Sequence, residues 1–217
     1  ALEMLRDAGA FISDGNLVKF PARLVEEAIA SAPGRIIMCD RKGEPAVFLE
    51  GNKVYFGTGS DCINFLDYKT GERRKFTQAD IIEGYHLCDA LPNIDFVMSI
   101  GIPSDVDPGL TYDVQMALML EHTSKPLVFV TDDKASCQRA LDMAAAVAGG
   151  YDALREKQHI LLYSEPSSPL QQSETAVDKL LLMAEHELPV VHSPGPLMGG
   201  TAPITIASGL VMSLAEI

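Results

Sequence analysis

Basic side chains are scarce in this sequence. Across 217 residues, 17 Lys and Arg stand against 30 Asp and Glu, a formal charge of -13. Such a surface repels a polyanionic nucleic acid, whose binding relies on Lys and Arg displacing counterions. No nucleic-acid partner is therefore expected, whereas a cationic small molecule would be attracted. Cysteine is sparse too. Cys39, Cys62, Cys88 and Cys137 never approach the two- to four-residue spacing of a zinc knuckle. Scattered thiols at this density read as small buried hydrophobes in a reducing, cytoplasmic setting. No run of 18 apolar residues occurs, so no membrane partner is expected.

Several catalytic signatures are missing as well. No Walker loop and no G-x-S-x-G elbow is present. "FGTGSDC" begins like a G-x-G-x-x-G loop, but Cys62 occupies the third glycine's place. The residues after it, "INFLDY", look extended rather than helical, which argues against a dinucleotide or S-adenosylmethionine loop. No strand ends in Lys, so no Schiff-base nucleophile stands out. The five histidines form no i, i+4 metal pair, and no metal site is expected. His86, His122, His159 and His186 read as surface or packing residues.

What remains is a regular alternation. Residues 1–52 mix short helices and strands: "LEMLRDAG" closed by Gly9, the strand "NLVKF", and a helix opened by Pro21 with Leu24, Val25 and Ile29 on its apolar face. "RIIMCDR" and "AVFLE" follow as strands around the turn "KGEP". This segment reads as a small α+β unit. From residue 53 to 217, about five βα units follow one another, after a hairpin excursion around Lys69-Thr70-Gly71. Thr77 or Asp80 is placed to cap the first helix of the series. "YDALREK" either continues the helix before it or starts another. The strands are short and apolar throughout, the mark of parallel strands buried on both faces. The fold class is α/β, and the spacing is that of a partial (β/α)8 TIM barrel. An open doubly wound sheet is the alternative from pattern alone. Ala1 falls inside a helix and Ile217 follows an uncapped apolar one, so this stretch is expected to be part of a longer protein.

In either fold, chemistry belongs at the carboxyl ends of the strands. Those ends read Gly57-Thr58-Gly59-Ser60-Asp61, Ser99-Ile100-Gly101, Thr131-Asp132-Asp133, Tyr163-Ser164-Glu165 and His192-Ser193-Pro194-Gly195. Glu165 is the most informative acid, able to counter a cation, act as a base or simply brace its loop. His192 either touches ligand or holds a structural hydrogen bond. In "GPLMGGTAP", Gly199 and Gly200 permit left-handed backbone, Thr201 can cap and Pro203 suits a first helical turn. That start could bind an anion or merely make a tight turn.

The segments "VYFGTGSDCINFLDYKTGERRKFT", "CDALPNIDFV", "MAAAVAGGYDALREK", "LYSEPSSPL" and "SPGPLMGGTAPITIASGLV" resemble the trimethylamine methyltransferase family, as does "MLRDAGAFISDGNLVKFPARLVEEAIASAP". The resemblance runs in order along almost the whole chain. It implies a cytoplasmic (β/α)8 barrel, homo-oligomeric at full length, that moves a methyl group from a methylated amine to the cobalt of a corrinoid. That corrinoid (cobalamin) is carried by a separate small protein, so no cofactor is bound directly. One branch uses pyrrolysine and trimethylamine. A wider branch lacks pyrrolysine and takes quaternary amines such as glycine betaine, and it is favoured as the larger. The pyrrolysine position is expected beyond Ile217.

Cobalt(I) is a strong nucleophile and a quaternary ammonium leaves as a neutral amine. The protein's task is then positioning and electrostatics, with an aromatic or acidic pocket for the cation. Glu165 and Tyr163 are the expected cation contacts, near Tyr55 and Phe56 of the inner strand. Ser193 and Thr201 are expected donors to a substrate carboxylate. Thr58, Asp132, Ser164 and His192 complete the expected substrate site. No residue is assigned a catalytic role. Two other functions stay open: an S-adenosylmethionine-dependent methyltransferase, and a noncatalytic binder of quaternary amines.

Overall fold

A computed structural model describes residues 1–217. The chain forms two compact units, Ala1–Ile36 and Ile37–Ile217. In the smaller, α1 (Leu2–Asp7) leads to the antiparallel hairpin β1 (Phe11–Ser13) and β2 (Leu17–Lys19), then to α2 (Ala22–Ser31). Gly9 has φ +102°, the left-handed conformation that lets the chain turn from α1 into β1. The expected apolar face of α2 is only partly covered: Leu24 is half-buried, but Val25 is 44% exposed and Ile29 71%.

The larger unit is mixed α/β. It opens with β3 (Ile36–Cys39) paired to β4 (Pro45–Leu49), then the antiparallel hairpin β5 (Asn64–Leu66) and β6 (Arg73–Lys75). Helix α3 (Gln78–Ala90), a 3-10 turn at Pro108–Leu110 and α4 (Thr111–His122) follow. Then come β7 (Leu127–Phe129), α5 (Lys134–Ala148), α6 (Tyr151–Glu156), β8 (Ile160–Ser164), α7 (Glu174–Glu185), β9 (Val190–His192) and α8 (Ile206–Glu216). "YDALREK" thus starts a helix of its own, because Gly149 and Gly150, at φ +94° and +126°, end α5. No helix is long and apolar enough to cross a membrane.

Strands β7, β8 and β9 form one parallel sheet in that order, with Leu127 opposite Ile160 and Leu162 opposite Val190. A strand running into the Gly-rich loop was expected within residues 53–61, and another strand at 94–101. The structure has only extended segments there, joined by isolated parallel bridges: Gly57 to Phe96, Cys62 to Gly101, and Val97 to Leu127. The physical reason is visible at Thr58. Its hydroxyl accepts from the Met98 N–H at 2.7 Å and donates to the Met98 carbonyl at 3.3 Å, so a side chain stands in for ladder bonds.

Alternation along β7 and β8 sorts residues into two cores. Leu127, Phe129, Ile160 and Leu162 pack with residues of α3 to α7 such as Tyr85, Met119, Leu141, Leu154 and Met183. Val128 and Leu161, on the opposite face, pack with Met38 and Val47, flanked by Tyr55, Phe96, Met98 and Tyr163. Residues 37–52, grouped by sequence with the N-terminal segment, therefore belong by packing to the larger unit.

The β5–β6 hairpin is locked to α3 by charge. Both Thr77 and Asp80 take part in the cap: Thr77 is the N-cap and Asp80 completes a capping box. Arg74 donates to both Asp80 oxygens, at 2.6 and 2.8 Å, and to Asp67 at 3.1 Å. The Arg74 bond, then those from Thr77, hold the Asp80 carboxyl well below the usual carboxylate range. A lowered folded pKa stabilises above the unfolded value of about 3.9 and is lost as pH falls through the folded one. Arg74 is partly exposed, so solvent screening tempers the pair. Asp80→Asn is expected to cost about 1–2 kcal/mol at pH 7. That gap should shrink between pH 4 and 2, as about 3.9 is crossed. Urea unfolding of parent and variant at both ends of the range checks this, and a pH-independent gap would contradict it.

Candidate functional site

A cleft of about 430 Å³ opens at the carboxyl ends of the parallel segments. Its wall runs from Ser60 and Asp61 across Val130 to Tyr163–Ser167, and on to Ser173, Thr175, Ala176 and Lys179 at the start of α7. Ser173 caps that helix, accepting from the Ala176 N–H, because a polar residue precedes the apolar run at the spacing a cap needs.

Of the expected residues, Tyr163, Ser164 and Glu165 line this cleft. The Tyr163 hydroxyl donates to Glu165 Oε2 at 3.3 Å. Burial raises the Tyr163 pKa, and the Glu165 charge adds to that. Ser193 also lies by the Tyr163 hydroxyl and opposes the rise. Glu165 itself is exposed, on the rim of the cleft. Ser164 points the other way from Tyr163, as strand alternation requires. It is 4% exposed and its hydroxyl has no partner. His192 pairs in register with Ser164, on that same side of the sheet. Its Nε2 meets Gln172 Oε1 at 3.2 Å, Nδ1 is buried without a partner, and burial lowers its pKa.

The remaining expected residues are placed elsewhere. Thr58 is committed to the Met98 backbone. Asp132 is exposed at the exit of β7. Thr201 does not cap a helix: its hydroxyl accepts from the Leu197 N–H at 2.9 Å within a turn. Helix α8 starts at Ile206, capped by Thr205, so Pro203 also lies outside it. Tyr55 is half-buried with its hydroxyl accepting from the Phe48 N–H, and Phe56 is exposed. Cys62, expected to be buried, is exposed, whereas Cys39, Cys88 and Cys137 are buried. His86 and His122 meet each other, Nε2 to Nδ1 at 3.1 Å, and His186 stacks on Tyr151.

Two charged residues of the cleft were not among the expected substrate contacts, although Asp61 closes the first of the strand ends read from the sequence. Asp61 has φ +56° and accepts from the Ser99 hydroxyl at 3.0 Å. Burial raises its pKa, with Asp132 adding to the rise. Lys179 is 8% exposed and donates to the Thr131 carbonyl at 2.6 Å. Burial lowers the Lys179 pKa, and Cys137, Asp132, Asp133 and Glu165 act against that. The loop after β8 is tied down by Glu216, which accepts from the Ser168 hydroxyl at 2.8 Å and the Leu170 N–H at 3.0 Å.

The "FGTGSDC" stretch is not a phosphate loop. A Cβ on Gly57 would lie 2.3 Å from the Phe96 ring, so this glycine is there to admit an aromatic side chain. The chain then runs on through Cys62 into strand β5 rather than into a helix.

The sequence as a whole decides the family. A model of the trimethylamine methyltransferase (MTTB) family matches residues 1–217. The chain belongs to the trimethylamine methyltransferase family. Among its relatives, the trimethylamine methyltransferase MttB of Desulfitobacterium hafniense (strain DSM 10664 / DCB-2) is 32% identical over 218 residues, covering 100% of this chain and 44% of its own. The glycine betaine methyltransferase of Desulfitobacterium hafniense (strain Y51) is 26% identical over 220 residues, again 100% of this chain and 45% of its own. The MttB of Methanosarcina barkeri (strain Fusaro / DSM 804) is 28% identical over 226 residues, with the same coverage. This trimethylamine methyltransferase family chain thus spans less than half the length of the curated relatives it matches. Relatives named for a tertiary amine and for a quaternary one both align along all of it.

Proposed function

We propose that the protein carrying this chain transfers a methyl group from a methylated amine, trimethylamine or a quaternary amine such as glycine betaine, to the cobalt of a corrinoid held by a partner protein. The observation that carries the amine half is the cleft itself: Glu165 and Asp61 lie on its wall together with Tyr163. Two acids and an aromatic ring suit a methylated ammonium: a quaternary one offers charge without N–H donors to satisfy, and trimethylammonium offers a single N–H that a carboxylate can accept. The acidic surface draws cations toward it.

Cobalt(I) supplies the nucleophile when the corrinoid partner docks. The C–N bond of the ammonium breaks, its electron pair stays on nitrogen, and a neutral amine departs. This chain's residues then have three tasks. Glu165 and Asp61 hold the cation, Tyr163 packs against its methyl groups, and the Glu216-braced loop keeps Glu165 in position. The same reading takes the five parallel segments as consecutive staves of a (β/α)8 barrel. It is supported by their order, which follows the chain without the reversal a doubly wound sheet needs. A cytoplasmic location and a homo-oligomeric full-length protein belong to the same proposal.

The test is a spectroscopic assay of the full-length protein with cob(I)alamin. Methylated corrinoid is expected with trimethylamine or glycine betaine, and its absence with every methylated amine would remove the proposal. Equilibrium dialysis should show binding of glycine betaine and none of S-adenosylmethionine; the reverse would favour an adenosyl-dependent enzyme.

A further inference from the structure

The amine reading uses only the acidic side of the cleft. The opposite wall carries a buried cation that it leaves without a task. Lys179 projects from α7, residue 92% buried by its 8% exposure, and its ammonium is bonded to a carbonyl, that of Thr131, rather than to a carboxylate. An ammonium has three N–H donors, and this bond uses one. A lysine this deep is ordinarily matched by an anion, because an unpaired buried charge is costly.

A second feature points to the same place. The Ser164 hydroxyl is buried on the α7 side of the β8 exit, lines the same cleft and has no hydrogen-bond partner. Burying a hydroxyl unpaired also costs free energy, and a ligand oxygen would satisfy it. The start of α7 faces the cleft through Ser173, Thr175 and Ala176. Apart from the Ala176 N–H, which Ser173 accepts, the first-turn N–H groups lack intrahelical acceptors.

We propose that Lys179 and Ser164 form an anion subsite that takes the carboxylate of a zwitterionic substrate whose methylated ammonium lies against Glu165 and Tyr163. The cleft is then bipolar and selects a quaternary ammonium carboxylate over a plain amine. Lys179 is a specificity-determining residue, not one that touches the transferred methyl. This inference rests on the amine reading for the cationic half, and the test separates the two.

Three probes are titrated calorimetrically into the full-length protein. Glycine betaine carries both ends, choline has the same ammonium with a hydroxyl in place of the carboxylate, and 3,3-dimethylbutanoate has the carboxylate with an uncharged tert-butyl head. The parent should bind betaine about tenfold or more tighter than choline. Lys179→Met, which keeps the apolar stem, should erase that preference and abolish dimethylbutanoate binding while leaving choline unchanged. Ser164→Ala should shift betaine the same way by about three- to tenfold.

Equal binding of betaine and choline by the parent would overturn the subsite and leave the amine reading intact. Equal loss of both ligands in both variants would make Lys179 a structural brace and overturn it too. Lys179-dependent binding of dimethylbutanoate with no binding of choline would uphold the subsite and discard the amine reading.

Discussion

Placing a methyl group on Gly57 is expected to destabilise the larger unit by about 1–3 kcal/mol, the usual cost of overpacking. The added carbon would sit 2.3–2.5 Å from three atoms of the Phe96 ring, closer than real Cβ contacts come. Gly57 itself is not in the left-handed region, so the penalty is steric rather than conformational. Phe96 cannot simply swing away, since it flanks the small core of Met38, Val47, Val128 and Leu161. Shrinking the ring should therefore rescue the variant. Phe96→Leu in the Gly57→Ala background is expected to recover most of the loss, giving a coupling of about 1 kcal/mol or more in a double-mutant cycle. Urea melts of the four proteins measure this directly. A neutral Gly57→Ala, or additive losses, would show that the ring does not police this glycine. A phosphate-cradling glycine would behave differently, losing ligand and keeping stability.

Glu165→Gln is expected to raise KM for a cationic substrate about tenfold, the scale of a lost charge contact in a partly screened site. Thermal stability should stay within about 0.5 kcal/mol of the parent, because Glu165 is exposed and its one side-chain bond, from Tyr163 at 3.3 Å, is long. Tyr163→Phe keeps the ring and loses that bond, so its effect should be much smaller. Tyr163→Leu removes the aromatic face and should cost about 0.5–2 kcal/mol of binding. Unchanged kinetics in Glu165→Gln would take Glu165 out of the site. A variant that melts early would recast it as a loop brace, the alternative the sequence left open.

Most elements were legible because their punctuation is local. Ser173, Thr77 with Asp80, and Gly149-Gly150 mark helix ends by chemistry that does not depend on the rest of the fold. What escaped depended on the third dimension. Ser164 and Tyr163 are neighbours in sequence and point to opposite faces, yet β8 is apolar on both sides, so no alternation in polarity revealed which face was which. Thr58 looked free at a strand exit, and only the facing segment shows that Met98 occupies its hydroxyl. Thr201 was read as a cap because Gly199-Gly200-Thr201 has the composition of one; a turn closed by the Leu197 N–H uses the same residues. Lys179 left a readable trace. It falls on the buried stripe Ala176, Lys179, Leu182 and Met183 of α7, a lysine at a position where the helical repeat demands an apolar side chain.

Of the four thiols, Cys39, Cys88 and Cys137 are buried, and burial pushes Cys137 up to about 11. Cys62 is the exposed one, with its backbone bonded to Ile100 and Ile102 and its neighbour Asp61 on the cleft wall. Within these 217 residues a maleimide fluorophore would thus attach at Cys62 alone, without mutagenesis. Anchored on backbone that is held at both N–H and C=O, it would report by its emission whenever a molecule settles next door.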